Sequence, residues 1–114
     1  MATYLVTGGA GFIGSNITDE LVRRRENVKV LDDLSSGKRE NLEQVKDKIE
    51  FIEADIRDLE ALMRAFKGCD YVIHQAALRS VPKSMKDPAL YDEVNVMGTL
   101  NVLSAAVRNK VKRV

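Results

Sequence analysis

Two features near the amino terminus could do chemistry: a glycine turn, and an acid closing the apolar run that follows it. Thr7-Gly8-Gly9-Ala10-Gly11-Phe12-Ile13-Gly14 comes directly after Tyr4-Leu5-Val6, which reads as a short buried strand. Ile13, Ile17 and Leu21 recur at every fourth position and read as one face of the next helix. Glycines let a backbone come close to a phosphate, the amides of the helix amino end can point at the anion, and the helix dipole favours negative charge there. Gly9-x-Gly11-x-x-Gly14 matches the dinucleotide fingerprint, and Gly8-x-x-Gly11-x-x-Gly14 is a variant with a longer first interval. Either match alone also fits an ordinary tight turn. The order strand, turn, helix, strand, acid is what gives it weight. Asp32 closes the second strand, Val28–Leu31. A carboxylate there can accept hydrogen bonds from ribose hydroxyls and repels a 2′-phosphate, so NAD is favoured over NADP.

The remaining candidates are weaker. Asp55 ends a third strand in the same way, and could meet the adenine rim or simply cap the next helix. Ala76 and Ala77 are small enough for a cofactor to pass close to the backbone, although small residues also serve packing. A mononucleotide phosphate loop needs Gly-Lys-Ser/Thr, whereas Gly14 is followed by Ser15-Asn16. A methyltransferase glycine loop normally follows an acid, and Thr7 stands in that place. His74 has no second His or Cys at ligand spacing, so no metal site is expected. Cys69 has no base nearby in sequence and reads as inert. Arg23-Arg24-Arg25 and the tail cations Arg108, Lys110, Lys112 and Arg113 suit helix carboxyl ends on dipole grounds alone.

The elements that must position these groups alternate along the chain. After Val28–Leu31, the stretch from Leu34 to Lys38 is a loop by composition, and a polar, irregular or weakly helical segment runs to Lys48. Ile49–Ala54 reads as the third strand. Leu59, Leu62, Met63 and Phe66 have amphipathic helical spacing, with Asp58 as cap and Gly68 as stop. Tyr71–His74 is a fourth strand, and the loop from Gln75 to Lys86 leads to Asp87-Pro88, a capping acid with proline at the first helical position. The helix that follows runs to about Asn109 and carries two apolar stripes, Leu90, Val94 and Met97 on one side and Val96, Leu100, Leu103 and Val107 on the other. A helix facing only a sheet needs one stripe, so the second implies burial against something else. Val111–Val114 starts a fifth strand. Alternating strands and helices predict parallel βα units with right-handed crossovers, an α/β doubly wound sheet of about four strands plus the start of a fifth.

Composition narrows the function classes. A chain of 114 residues, 45% hydrophobic and 31% charged, is expected to form one domain, residues 1–114. The net charge of +1 and the absence of tryptophan recommend neither nucleic acid nor an anionic membrane as partner. One cysteine excludes an internal disulfide and fits a reducing compartment. No apolar run approaches the roughly 18 residues of a membrane span. A cytoplasmic setting is expected.

Taken together, Val6 to Gly14, Leu31 to Gly37, Ala54 to Asp58, His74 to Ala77, Ser80 to Ser84, Asp87-Pro88 and Asn95 to Asn101 make the whole chain resemble the amino-terminal part of extended short-chain dehydrogenases/reductases, with their Rossmann-type fold. The resemblance is strongest to the sugar-nucleotide epimerases of the UDP-glucose 4-epimerase type, and it leaves open a nucleotide-sugar 4,6-dehydratase or reductase of the same superfamily, or a non-enzymatic NAD-binding module. It implies that Gly8, Gly11, Phe12, Ile13 and Gly14 wrap the NAD pyrophosphate and that Asp32 binds the adenosine ribose, with Asp33, Ser35, Ser36 and Gly37 along the same rim. It implies further that Asp55 and Ile56 flank adenine, Asp55 through a side-chain hydrogen bond. Gln75, Ala76, Ala77 and Arg79 would lie toward nicotinamide, Asn95 would support the site by hydrogen bonding, and Ser80, Val81 and Ser84 would approach a nucleotide sugar. The last helix would join a homo-oligomer interface.

The chemistry of such enzymes uses a Ser/Thr and a Tyr-x-x-x-Lys pair, the tyrosine taking a proton as hydride moves to NAD. Four residues after Tyr4, Tyr71 and Tyr91 stand Gly8, Gln75 and Asn95, so the pair is absent from this sequence. The catalytic residues and the sugar-binding domain are expected beyond residue 114, and the chain by itself is expected to be inactive. Exposed sheet and helix surfaces are expected to make it self-associate, with Val111–Val114 pairing onto another chain.

Overall fold

The computed structural model describes residues 1–35, 37–76, 89 and 93–114. Among these, four parallel strands form one sheet in the order β3-β2-β1-β4. They are β1 (Thr3–Thr7), β2 (Asn27–Asp32), β3 (Ile49–Glu53) and β4 (Tyr71–His74). Register places Thr7 beside Leu31 on one side and beside His74 on the other. The chain winds outward from β1 to β3, then crosses back to lay β4 on the opposite edge of β1. The strand order reverses at the carboxyl end of β1, where ligands of doubly wound sheets collect.

Period-two alternation divides the core between the two sheet faces. Leu5, Leu31 and Val72 point to one side and pack with Leu62, Phe66, Val102 and Ala105 from α2 (Leu59–Ala65) and α3 (Gly98–Arg108). Val6, Val28 and Val30 point to the other side, under α1 (Phe12–Arg23) and the 3₁₀ turns of Arg39–Lys48. Full burial of a side chain such as Phe66 contributes about 1.5–3 kcal/mol.

The structure corrects two expectations, one in each long helix. Of the face expected for α1, Leu21 is buried and Ile17 packs partly buried against the core, but Ile13 is half exposed and Gly14, Ser15 and Thr18 are buried beside them. Thr18 turns its hydroxyl back onto the Gly14 carbonyl at 2.9 Å, so a polar residue sits fully buried where the apolar pattern suggested a different face. In α3 the core side is Gly98, Val102, Ala105 and Ala106, and Met97 is exposed together with Val96, Leu100, Leu103 and Val107. Small residues let α3 lie close to the sheet, so the large apolar residues are the ones left outside. The tail returns to its own sheet: the Val72 amide donates to the Arg113 carbonyl at 3.0 Å and the Lys112 amide to the Asp70 carbonyl at 2.8 Å, a parallel bridge onto β4 where the fifth strand was expected to start. The Asp87-Pro88 cap and Leu90 lie outside the described residues.

Candidate functional site

The carboxyl ends of β1, β2 and β4 converge on the glycine turn. Gly8 has φ +68°, its amide donates to the Leu31 carbonyl at 2.7 Å, and a Cβ there would come within 2.8 Å of Gln75 and Ala76. Glycine is therefore required twice over at this position, by conformation and by contact. A Cβ on Gly14 would strike the Gly8 carbonyl oxygen, which closes the turn against the first turn of α1. Gly11 is different. Its φ is −76°, and among the described residues its Cβ would meet only the Gly8 oxygen, at an ordinary 3.4 Å. Neither backbone conformation nor packing calls for glycine there, and the space it leaves open adjoins the amino end of α1.

Among the described residues, no group compensates that helix end. Gly11 occupies the cap position without a side-chain hydrogen bond, and the first turn holds no acid. The contrast with α2 is direct: Asp58 caps that helix by accepting the Ala61 amide at 3.1 Å, and Glu60 lies in its first turn. The chain neutralises one helix amino end and leaves the other open, with the Phe12, Ile13 and Gly14 amides at the positive pole of the dipole. The Phe12 side chain above them is 83% exposed.

Asp32 is buried, at 6% exposure, and clamps the turn. Its Oδ2 accepts the Ala10 amide at 2.9 Å and its Oδ1 accepts the Leu34 amide at 2.8 Å. The Ala10 carbonyl in turn accepts from the Lys38 amide at 3.0 Å and the Asn41 side chain at 2.8 Å. Gly37 lies against the same point, since a Cβ on it would come within 2.8 Å of Ala10. Asp33 holds its own loop by accepting the Ser35 amide at 2.9 Å. Ser36, Ala77, Arg79, Ser80, Val81 and Ser84 lie outside the described residues.

At the end of β3 the Asp55 carboxylate is already engaged within the chain. Both oxygens of Asp55 accept from Arg57, with Nη2 at 2.6 Å and the backbone amide at 2.8 Å. The Arg57 hydrogen bonds hold the Asp55 carboxyl below its ordinary pKa, against a partial desolvation that works the other way. A base approaching Asp55 must share it with Arg57. The Ile56 side chain is buried in the core against Gly98, so only its main chain is left to face a ligand. Asn101 donates to the Ile56 and Arg57 carbonyls at 3.1 and 3.0 Å, which fixes this loop to α3.

Cys69 is buried, and desolvation pushes its thiol pKa up. Among the described residues no cluster of His, Cys, Asp or Glu could hold a metal ion, and no helix is long and apolar enough to cross a membrane.

Residues 4–114 match the model of the NAD dependent epimerase/dehydratase family. The chain belongs to that family. It is 46% identical over 114 residues to a UDP-glucose 4-epimerase of Mycolicibacterium smegmatis, with 96% of this chain and 36% of that protein covered. The structure of the Thermus thermophilus UDP-glucose 4-epimerase in complex with NAD superposes with a TM-score of 0.86 at 47% identity, covering 96% of this chain and 35% of that one. A dTDP-glucose 4,6-dehydratase from Streptomyces venezuelae with NAD bound gives a TM-score of 0.92 at 38% identity, covering 97% and 37%. The chain spans about a third of the length of these relatives.

Reasoning from sequence passed over Thr7, Gly98, Thr99 and Asn101. Thr7 is fully buried, and its hydroxyl meets His74 Nδ1 at 2.7 Å. The signal was a polar residue closing an apolar strand, which acquires meaning only once β1 and β4 are paired in register. Asn95 stands in a π turn, Glu93–Met97, with its carbonyl accepting the Thr99 hydroxyl at 2.6 Å.

Proposed function

We propose that the chain binds NAD across the carboxyl ends of β1, β2 and β4, and that within a longer protein it serves a nucleotide-sugar 4-epimerase. The observation carrying this is the uncapped amino end of α1 over Gly11, whose missing side chain no packing contact explains. The Phe12, Ile13 and Gly14 amides take the pyrophosphate, and Gly8 and Gly14 keep the turn tight enough to present them. Asp32 orders the turn from within and offers its remaining acceptor capacity to the ribose hydroxyls, with Asp33, Ser35, Ser36 and Gly37 forming the rim. Asp55 and the Ile56 main chain border adenine. Gln75, Ala76, Ala77 and Arg79 run toward the nicotinamide end, Asn95 supports them, and Ser80, Val81 and Ser84 face the sugar nucleotide.

Bound NAD supplies a hydride acceptor, which allows a sugar hydroxyl to be inverted through a transient 4-keto sugar. This chain's part is to bind and orient. Without Tyr-x-x-x-Lys it holds no group to take the hydroxyl proton, and we assign it no turnover of its own. A second reading, a nucleotide-sugar 4,6-dehydratase, is favoured by the likeness to the Streptomyces enzyme. A cytoplasmic setting, and a homo-oligomer joined through the exposed stripe of α3, complete the proposal.

The test is an NAD titration by calorimetry of the wild-type chain and Gly11→Val. Because a Cβ at this position meets only the Gly8 oxygen among the described residues, at 3.4 Å, thermal stability should change little while affinity falls at least tenfold. Equal affinity in the two proteins would remove the pyrophosphate from this turn. UDP-glucose and NAD incubated with the chain should yield no epimer.

A further inference from the structure

His74 is the single histidine of the chain, and its ring bridges β1 and α3. Nδ1 lies 2.7 Å from Thr7 Oγ1, and Nε2 lies 3.1 Å from Thr99 Oγ1. Two backbone protons already point at the Thr7 hydroxyl oxygen, from the Ala76 amide at 3.1 Å and from the Gln75 amide at 3.0 Å, the latter shared with the Thr7 carbonyl at 3.1 Å. A hydroxyl has two lone pairs and one proton. With both lone pairs engaged, a protonated Nδ1 would aim a third proton at the same oxygen. The hydroxyl proton therefore goes to Nδ1, which is an acceptor.

The rest of the chain of hydrogen bonds then has one direction. An imidazole whose Nδ1 accepts carries its proton on Nε2, so His74 is neutral and donates to Thr99 Oγ1. The Thr99 hydroxyl is left to donate to the Asn95 carbonyl, at the short distance of 2.6 Å. At one end are the Gln75 and Ala76 amides, pressed against Gly8 where β1 and β4 part. At the other end is a π turn, an element concentrated at functional sites because its wider ring leaves carbonyls to be claimed from outside the regular ladder.

We propose that His74, fixed as the neutral Nε2–H tautomer, is a positioning residue that locks the Gly8 turn to the Asn95 turn so that the two sides of the cofactor cleft hold one spacing. This rests on the NAD reading above. The imidazole touches no cofactor in this scheme. It acts through Thr7 on the nucleotide side and through Thr99 on the nicotinamide side.

The experiment uses the whole 114-residue chain with nitrogen-15 in its one histidine. At pH 7.5 the ring should show a protonated Nε2 and an unprotonated, hydrogen-bonded Nδ1. A protonated Nδ1, or averaging between the two tautomers, overturns the proposal without any reference to NAD. NAD titrations then compare wild type with His74→Phe, His74→Gln and Thr99→Val. His74→Phe and Thr99→Val should each lose about tenfold in affinity, on the scale of one buried hydrogen bond. His74→Gln, whose amide can accept from Thr7 and donate to Thr99, should recover most of it. Thr99→Val should also shift the Gln75 and Ala76 amide resonances, although it lies on a different element, and it keeps the test open if His74→Phe fails to fold. Wild-type binding with Thr99→Val equally tight and those resonances unmoved would sink the positioning role alone. Failure of wild type to bind NAD would sink the cofactor reading together with the role built on it.

Discussion

The Asp32 Oδ2 accepts the Ala10 amide at 2.9 Å, so the acid expected to greet a ribose holds the glycine turn in shape. The second oxygen is engaged by Leu34, which sits at φ 62°, a conformation that costs a bulky side chain on the order of 1–3 kcal/mol. A buried carboxylate thus stabilises two backbone segments before any ligand arrives. Asp32→Ala should consequently lower unfolding free energy by about 1.5–3 kcal/mol as well as weaken NAD binding, since hydrogen bonds to a charged group are lost from a buried place. Denaturant titration beside calorimetry checks this. Lost affinity at unchanged stability would leave Asp32 with the ribose alone.

Both long helices end in the same unusual way. After α1 the Arg25 amide reaches the Val22 carbonyl at 2.9 Å and the Glu26 amide the Leu21 carbonyl at 3.1 Å. After α3 the Lys110 amide reaches the Val107 carbonyl at 3.1 Å and the Val111 amide the Ala106 carbonyl at 2.9 Å. These are Schellman closures, and the left-handed position is held by Arg25 at φ 62° and Lys110 at φ 59° in place of glycine. Arg25→Gly and Lys110→Gly should each stabilise the chain by roughly 0.5–1 kcal/mol, read as a higher urea midpoint at constant slope. A lower midpoint in both would mean that the cationic side chains contribute more than the strain costs.

Those endings also show what could be read from the sequence. Asp58 and Gly68 bracket α2 in the chain as written, and the structure has Asp58 capping and Gly68 at φ +80°. The four parallel strands and the glycine turn were equally legible, because each follows from a pattern local in sequence. What was not legible depends on register. Thr7 beside His74 and Gly98 against Ile56 become neighbours only after strands pair and α3 docks. The face of α1 was misjudged because Thr18 satisfies its hydroxyl within its own helix, so polarity no longer marks the solvent side.

Asp55 and Arg57 set an acid limb. With its pKa lowered in the folded state, the Asp55 carboxylate contributes stability that is present above its unfolded value, about 3.9, and is lost as pH falls through the lower folded value. The pair is partly open to solvent, at 28% and 36% exposure, so its worth is under about 1 kcal/mol. Arg57→Ala should raise the Asp55 titration toward the unfolded value, as followed by carboxyl NMR, and flatten the stability profile below pH 4. It should leave NAD affinity equal or higher, because adenine then has Asp55 to itself. Weaker binding would show Arg57 to be a contact of the ligand.

Cys69 supplies a probe of opening. Desolvation raises its thiol pKa, so between the unfolded value of about 8.5 and the higher folded one the native state holds the extra proton, and stability falls as pH rises through that window. A disulfide reagent at pH 8 should label the native chain far more slowly than the urea-unfolded chain. Equal rates would contradict the burial of Cys69 among Leu62, Phe66 and Ala105.

The exposed stripe of α3 carries the proposed contact between copies. Val96, Leu100, Leu103 and Val107 recur along one side of the helix, each at least 45% exposed, while the opposite side is committed to the core. A continuous apolar strip of this kind is costly to leave in water and marks a protein contact. A closed two-fold pairing would set the stripe against its own copy, and a charge placed centrally would then meet its like across the axis. Leu103→Glu should shift sedimentation equilibrium at micromolar concentration toward the monomer and leave NAD affinity unchanged, because the site lies at the strand ends and not on this face. A wild-type chain that sediments as a monomer throughout would show that the stripe is covered by something other than a second copy.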